Sequence, residues 1–173
     1  MLFRSSWDLT NLLMPENFKK YAYNFMIPLK NSSTFVILPF SNSCAYEKNY
    51  WQDWPLFIDL LFNNCYKNYN FLICGQSNAY GKFNLKKIKN SHSVINLLDK
   101  TQNIIYLYSI AEKVKKIYTT HNGMAVFSRT NNLNCAIFYS DQLSDKWKET
   151  FISNKTQIIN IEDRIEDILK MGI

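Results

Sequence analysis

The stretch from Lys115 to Ser140, KKIYTTHNGMAVFSRTNNLNCAIFYS, restricts the fold more than any other part of the chain. Ile117 to Thr119 reads as a short buried strand, His121-Asn122-Gly123 as a tight turn, and the residues from about Met124 as a helix of roughly two turns. A second apolar strand, Cys135 to Tyr139, follows within a connection length usual for βα and αβ units. Strand, turn, helix and strand in that order make half of a doubly wound α/β sheet, whose ligand crevice lies outside the carboxyl ends of the strands. Backbone N–H groups at a helix start form an anion site there. Gly123, one of only four glycines, stands where the backbone would have to come close to such a ligand. Asn-Gly is also simply a turn, which is the commoner meaning of the pair.

The rest of the chain alternates in the same way. Residues 15 to 27 suit a helix, with Pro15 in its first turn, Phe18, Tyr21, Ala22 and Phe25 on one face, and Pro28 ending it. Phe35 to Leu38 is a fully apolar strand of the kind covered on both faces in a parallel sheet, and the polar loop Ser41 to Lys48 follows it. Residues 53 to 64 predict a crossover helix with Asp53 as N-cap, Pro55 in the first turn, and Trp54, Phe57, Ile58 and Leu61 as the buried stripe.

Tyr69 to Cys74 is the second strand, Gln76 to Lys89 a loop with a short helix, and Ser93 to Leu97 the third strand. Thr101 to Val114 predicts a helix with Ile104, Leu107, Tyr108 and Ala111 on one face. Past the opening stretch come a helix over 142 to 152 containing Trp147, a strand over Gln157 to Asn160, and a helix over Glu162 to Met171, with Glu162 and Asp163 at its positive end. The expected fold is therefore α/β, Rossmann-like, with an open parallel sheet of five to six strands and helices on both faces. Residues 1 to 30 form an N-terminal extension with a helix, and 31 to 173 the domain.

Composition removes several function classes. No apolar run approaches the roughly 18 residues needed to cross a bilayer. The N-terminus carries Asp8 and Glu16 and lacks a clean apolar stretch with a cleavage site, so an intracellular, cytoplasmic protein is expected. Cys44, Cys65, Cys74 and Cys135 form no CxxC pair and the only histidines are His92 and His121, which argues against a metal site; no cofactor is implied. Cys74 and Cys135 sit in apolar strands, where a thiol acts as a small hydrophobe. The formal charge of +6 raises nucleic-acid binding, but the lysines of 82 to 89 and 113 to 116 come with no arginine-rich run and no RNP-like aromatic motif, so that reading stays open without being favoured.

The ordered series FVILPFSNS, KNYWQDWPLFIDLL, FLICG and SVINLLDKTQNIIYLYSIAEKVKKIYTTHNGMAVFSRTNNLNCAIFYS resembles the C-terminal Rossmann-like lobe of a GT-B glycosyltransferase of the lipopolysaccharide heptosyltransferase type. The resemblance covers roughly residues 15 to 170. It implies that Thr120 to Val126 occupies the turn that receives the donor's phosphates, with Gly123 matching the family glycine, Asn122 standing for a hydroxyl residue and His121 for an acid. It also implies donor contacts from Ser41 and Ser43 after the first strand, and from Lys48, which matches the lysine that faces the diphosphate. Val126 stands where the family has histidine, and only about 30 residues precede the first core strand, so the expectation is a lone lobe that dimerises, a lobe whose acceptor-binding partner is another polypeptide, or a decayed lobe kept for binding or scaffolding.

On the resemblance, the donor-binding set is Ser41, Ser43, Lys48, His121, Asn122, Gly123, Met124 and Asp141, and no catalytic residue is assigned. Each has a plainer meaning: His121 a solvated turn residue, Lys48 a surface lysine, Asp141 a helix cap. Tyr46, Tyr50, Trp51 and Trp54 could stack a base or sugar, or anchor a helix start on the core. The expected function is a nucleotide-sugar or nucleoside-diphosphate binding lobe that is inactive alone, acting as a homo-oligomer or with a protein partner. The alternative is a non-catalytic structural protein built on the same domain and held in a larger assembly.

Overall fold

The structure is a computed structural model that describes residues 16, 20, 33–38, 51–64, 69–75, 85–89, 94–100, 104–120, 122–139, 148–149 and 152–171. Six strands form one sheet: β1 (Ser33–Leu38), β2 (Tyr69–Ile73), β3 (Val94–Asn96), β4 (Lys116–Thr120), β5 (Cys135–Tyr139) and β6 (Thr156–Asn160). Their spatial order is β3-β2-β1-β4-β5-β6, and every neighbouring pair is parallel. This is the doubly wound order, with its reversal point between β1 and β4. Among the described residues, the helices with defined bounds are α1 (Trp54–Asn64), α2 (Ile104–Ala111), α3 (Gly123–Thr130) and α4 (Ile165–Lys170), with a 3-10 turn at Leu85–Lys87.

Period-two alternation divides the core into two layers. Along β4 and β5, Ile117 and Ile137 face one side, where α2 and α3 bring Leu107, Ile110, Ala111, Met124, Ala125 and Phe127. Tyr118, Ala136 and Phe138 face the other side, where α1 brings Trp54, Phe57, Ile58 and Leu61 and α4 brings Ile165 and Ile168. All five β4 residues are buried, as a central strand covered on both faces requires. The four α1 side chains are fully buried, as their spacing predicts, and each contributes on the order of 1.5–3 kcal/mol in apolar transfer. Asp53 accepts the first helical bond through its carbonyl, from Phe57 N at 2.8 Å.

Helix ends depart from expectation. The last helix starts at Ile165 rather than Glu162, because Asn160 diverts the chain: its side-chain oxygen accepts from Glu162 N at 3.0 Å and its carbonyl from Asp163 N at 3.2 Å. The acids in its first turn are Glu166 and Asp167. Asp167 is paired with Arg164 and Lys170, and its hydrogen bonds to Lys170 and Arg164 hold its carboxyl below the usual range. Of the helix expected over 15 to 27, only Glu16 and Lys20 are among the described residues, and both are helical; of that over 142 to 152, Lys148 and Glu149 are helical, Ile152 is not, and Trp147 lies outside the described residues.

Among the described residues, both sheet edges are short or closed. β3 has three residues. On β6, Thr156 N donates to Ser153 O at 3.3 Å and Asn160 O accepts from Asp163, so a turn at each end takes up an edge group that would otherwise point away from β5.

Candidate functional site

The carboxyl ends of β1 and β4 meet at the reversal point, where Leu38 is in register with Thr119. The chain leaving β1 there carries Ser41, Ser43 and Lys48, and the chain leaving β4 carries His121, Asn122 and Gly123. Ser41, Ser43, Lys48, His121 and Asp141 lie outside the described residues, as do Tyr46 and Tyr50. Asn122, Gly123 and Met124 are brought together at the start of α3.

Asn122 is the N-cap of that helix, in extended conformation at φ −139° and ψ −173°. Its Oδ1 accepts from Met124 N at 2.9 Å and Ala125 N at 3.4 Å, and from Thr119 Oγ1 at 3.1 Å. Its Nδ2 donates to Thr120 Oγ1 at 3.3 Å. Thr119 and Thr120 are buried, so β4 ends in two hydroxyls that fix the orientation of the cap. An N-cap of this kind is worth on the order of 1 kcal/mol. It also occupies amides that an anion would use, leaving Gly123 N as the first-turn amide without a hydrogen bond to any described residue.

Gly123 is the first residue of α3, one position earlier than the expected helix start and not part of a left-handed turn. Among the described residues, a Cβ there would have a single neighbour within 4 Å, the Tyr108 hydroxyl at 3.9 Å. Neither the backbone conformation nor packing by the described residues demands glycine at this position. Among the described residues, the positive-φ positions are Gly75 at the end of β2, Asp99 after β3 and Asn132 after α3. The Met124 side chain is in the core, 3% exposed, so it can meet a ligand only through its backbone. Val126, in the first turn of α3, is 45% exposed.

Tyr108 is the residue that sequence reasoning placed only as core. From α2 its ring stacks on Phe127 of α3, centroids 3.9 Å apart and planes within 5°, and its hydroxyl ends beside Gly123. Partial burial raises its phenol pKa, so it stays a neutral donor. Its membership of the α2 stripe was readable; the meeting of two helices above Gly123 was not.

The start of α1, on the other side of the reversal point, suits an anion poorly. Asp53 precedes it with a carboxyl and Pro55 in its first turn has no N–H. The aromatics here are core anchors: Trp51 is 5% exposed and stacked on Phe138 at 4.8 Å, and Trp54 is fully buried, 4.7 Å from the same ring. No hydrogen bond reaches the indole N–H of Trp54 among the described residues.

At the opposite, amino end of the sheet, Lys116 is buried and its Nζ donates to Gln157 Oε1 on β6, two strands away. Burial lowers its pKa to about 8. Cys74 and Cys135 are buried and unbridged, and burial pushes both thiols up to about 12, so neither is a nucleophile at neutral pH. Among the described residues no group of three His, Cys, Asp or Glu side chains could hold a metal, and no helix is long and apolar enough to cross a membrane.

A doubly wound Rossmann-like lobe with a capped helix start at its reversal point is the class that these features define. No family model and no curated protein matches the sequence. Among solved structures, the chain is similar to ADP-heptose lipopolysaccharide heptosyltransferase II of E. coli, with a TM-score of 0.63 and 14% identity over 92% of this chain and 53% of that one. It is similar also to a family 9 glycosyl transferase of Veillonella parvula, with a TM-score of 0.61 and 13% identity over 92% of this chain and 44% of the other. The chain thus spans about half the length of the solved structures it matches, as a single lobe would. At these identities the likeness is one of fold.

Proposed function

We propose that the chain is a nucleoside-diphosphate or nucleotide-sugar binding lobe of glycosyltransferase type that turns over no sugar by itself. The observation that carries the reading is the position of α3: its start, with the Gly123 amide and the Tyr108 hydroxyl, stands where the carboxyl ends of β1 and β4 diverge. A phosphoryl oxygen there would accept from Gly123 N, with Tyr108 as a second neutral donor. Ser41, Ser43, Lys48, His121 and Asp141 complete the proposed donor site, Lys48 supplying the positive charge, while Asn122 and the Met124 backbone line it as the capped pair whose hydrogen bond a phosphate would have to displace. Residues 31 to 173 would form the binding domain and 1 to 30 an extension.

Inactivity follows from two features. Val126 offers an apolar surface where the resembling family has a histidine, and the residues given span about half the length of the solved glycosyltransferases whose fold they share. The chain would therefore work as a homo-oligomer or with a partner lobe, inside the cell.

Calorimetry with ADP, UDP and GDP, paired with a sugar-release assay on the corresponding nucleotide sugars, tests both halves. Binding of a nucleoside diphosphate that weakens by about tenfold in Lys48→Ala, with no release of sugar, is the expected result. Turnover by the purified chain overturns the inactivity. Silence toward every nucleotide favours the second reading, a structural protein on this fold, for which the occupation of the Met124 and Ala125 amides by Asn122 already speaks.

A further inference from the structure

We draw no further inference here: the strongest candidate, the buried amine of Lys116 hydrogen-bonded to Gln157 at the amino end of the sheet, rests on its lowered pKa alone, and no second group beside it among the described residues points to a ligand.

Discussion

Replacing Asn122 with alanine should move stability and ligand affinity in opposite directions. The substitution removes the acceptor of Met124 N, Ala125 N and Thr119 Oγ1 and the donor to Thr120 Oγ1. Loss of an N-cap costs about 0.5–2 kcal/mol, and the two threonine bonds move the expectation to the upper part of that range, about 1 to 2 kcal/mol. For a chain of this length that is a fall in Tm of roughly 2 to 8 °C, readable by circular dichroism. The same change uncovers the Met124 amide at the helix start, Ala125 N keeping its 3.0 Å bond to the Asn122 carbonyl, so a nucleoside diphosphate measured by calorimetry should bind more tightly, by up to about tenfold. Asn122→Asp is the control: it keeps the acceptor and the favourable dipole contact, leaving stability within about 0.5 kcal/mol, but sets a negative charge in the phosphate position and should weaken binding. A destabilised Asn122→Ala variant that also loses affinity would show that Asn122 touches the ligand itself. An unchanged Tm would refute the cap.

Gly123→Ala should leave stability unchanged or raise it by up to about 1 kcal/mol, since no positive φ is involved and the new Cβ meets, among the described residues, only the Tyr108 hydroxyl; a drop beyond about 1 kcal/mol in urea titration would contradict the described helix start. Tyr108→Phe should keep the Phe127 stack and the Tm while weakening nucleoside-diphosphate binding by about 1 kcal/mol in calorimetry, and equal affinity would remove Tyr108 from the site. Because the Lys116 amine titrates near 8 in the fold against 10.5 ordinarily, the fold disfavours its charged form: the penalty is complete below about pH 8 and fades as pH rises toward 10.5. Lys116→Met should therefore be more stable than the parent at pH 7, by about 1 kcal/mol or more, with the gap closing by pH 10; a gap independent of pH would falsify the buried ammonium. In mass mapping after treatment with a thiol reagent at pH 8, Cys74 and Cys135 should stay unmodified until the protein is denatured, and rapid labelling of either would contradict their burial.

What could be read in advance followed the physics of a sheet covered on both sides. FLIC and CAIFY are apolar without alternation because both pleat faces are buried, and the stripe of α1 survives intact because a helix must hide one face. Helix ends were less legible, since the side chain of a single asparagine decides them: Asn160 holds the chain in a turn before α4, and Asn122 opens α3 one residue early. Lys116 belongs to a run of lysines that reads as surface, yet period-two alternation turns it into the sheet's covered face. Trp51 and Trp54 resemble a stacking platform in one dimension and are core anchors in three, because Phe138 lies beneath them. Tyr108 needed the contact between α2 and α3, which no local pattern encodes.

The closure of the sheet's two margins limits how copies or partners can add to it. A three-residue strand offers too short a template for a further strand, and the turns at Ser153 and Asp163 interrupt the repeating donor and acceptor row that a docking strand would need to follow. Sideways growth, the route by which lone α/β fragments become fibres, is thereby discouraged at both described borders. At these described borders a further polypeptide would find no continuous strand template, so any contact made there would have to be by side chains and not by enlarging the sheet.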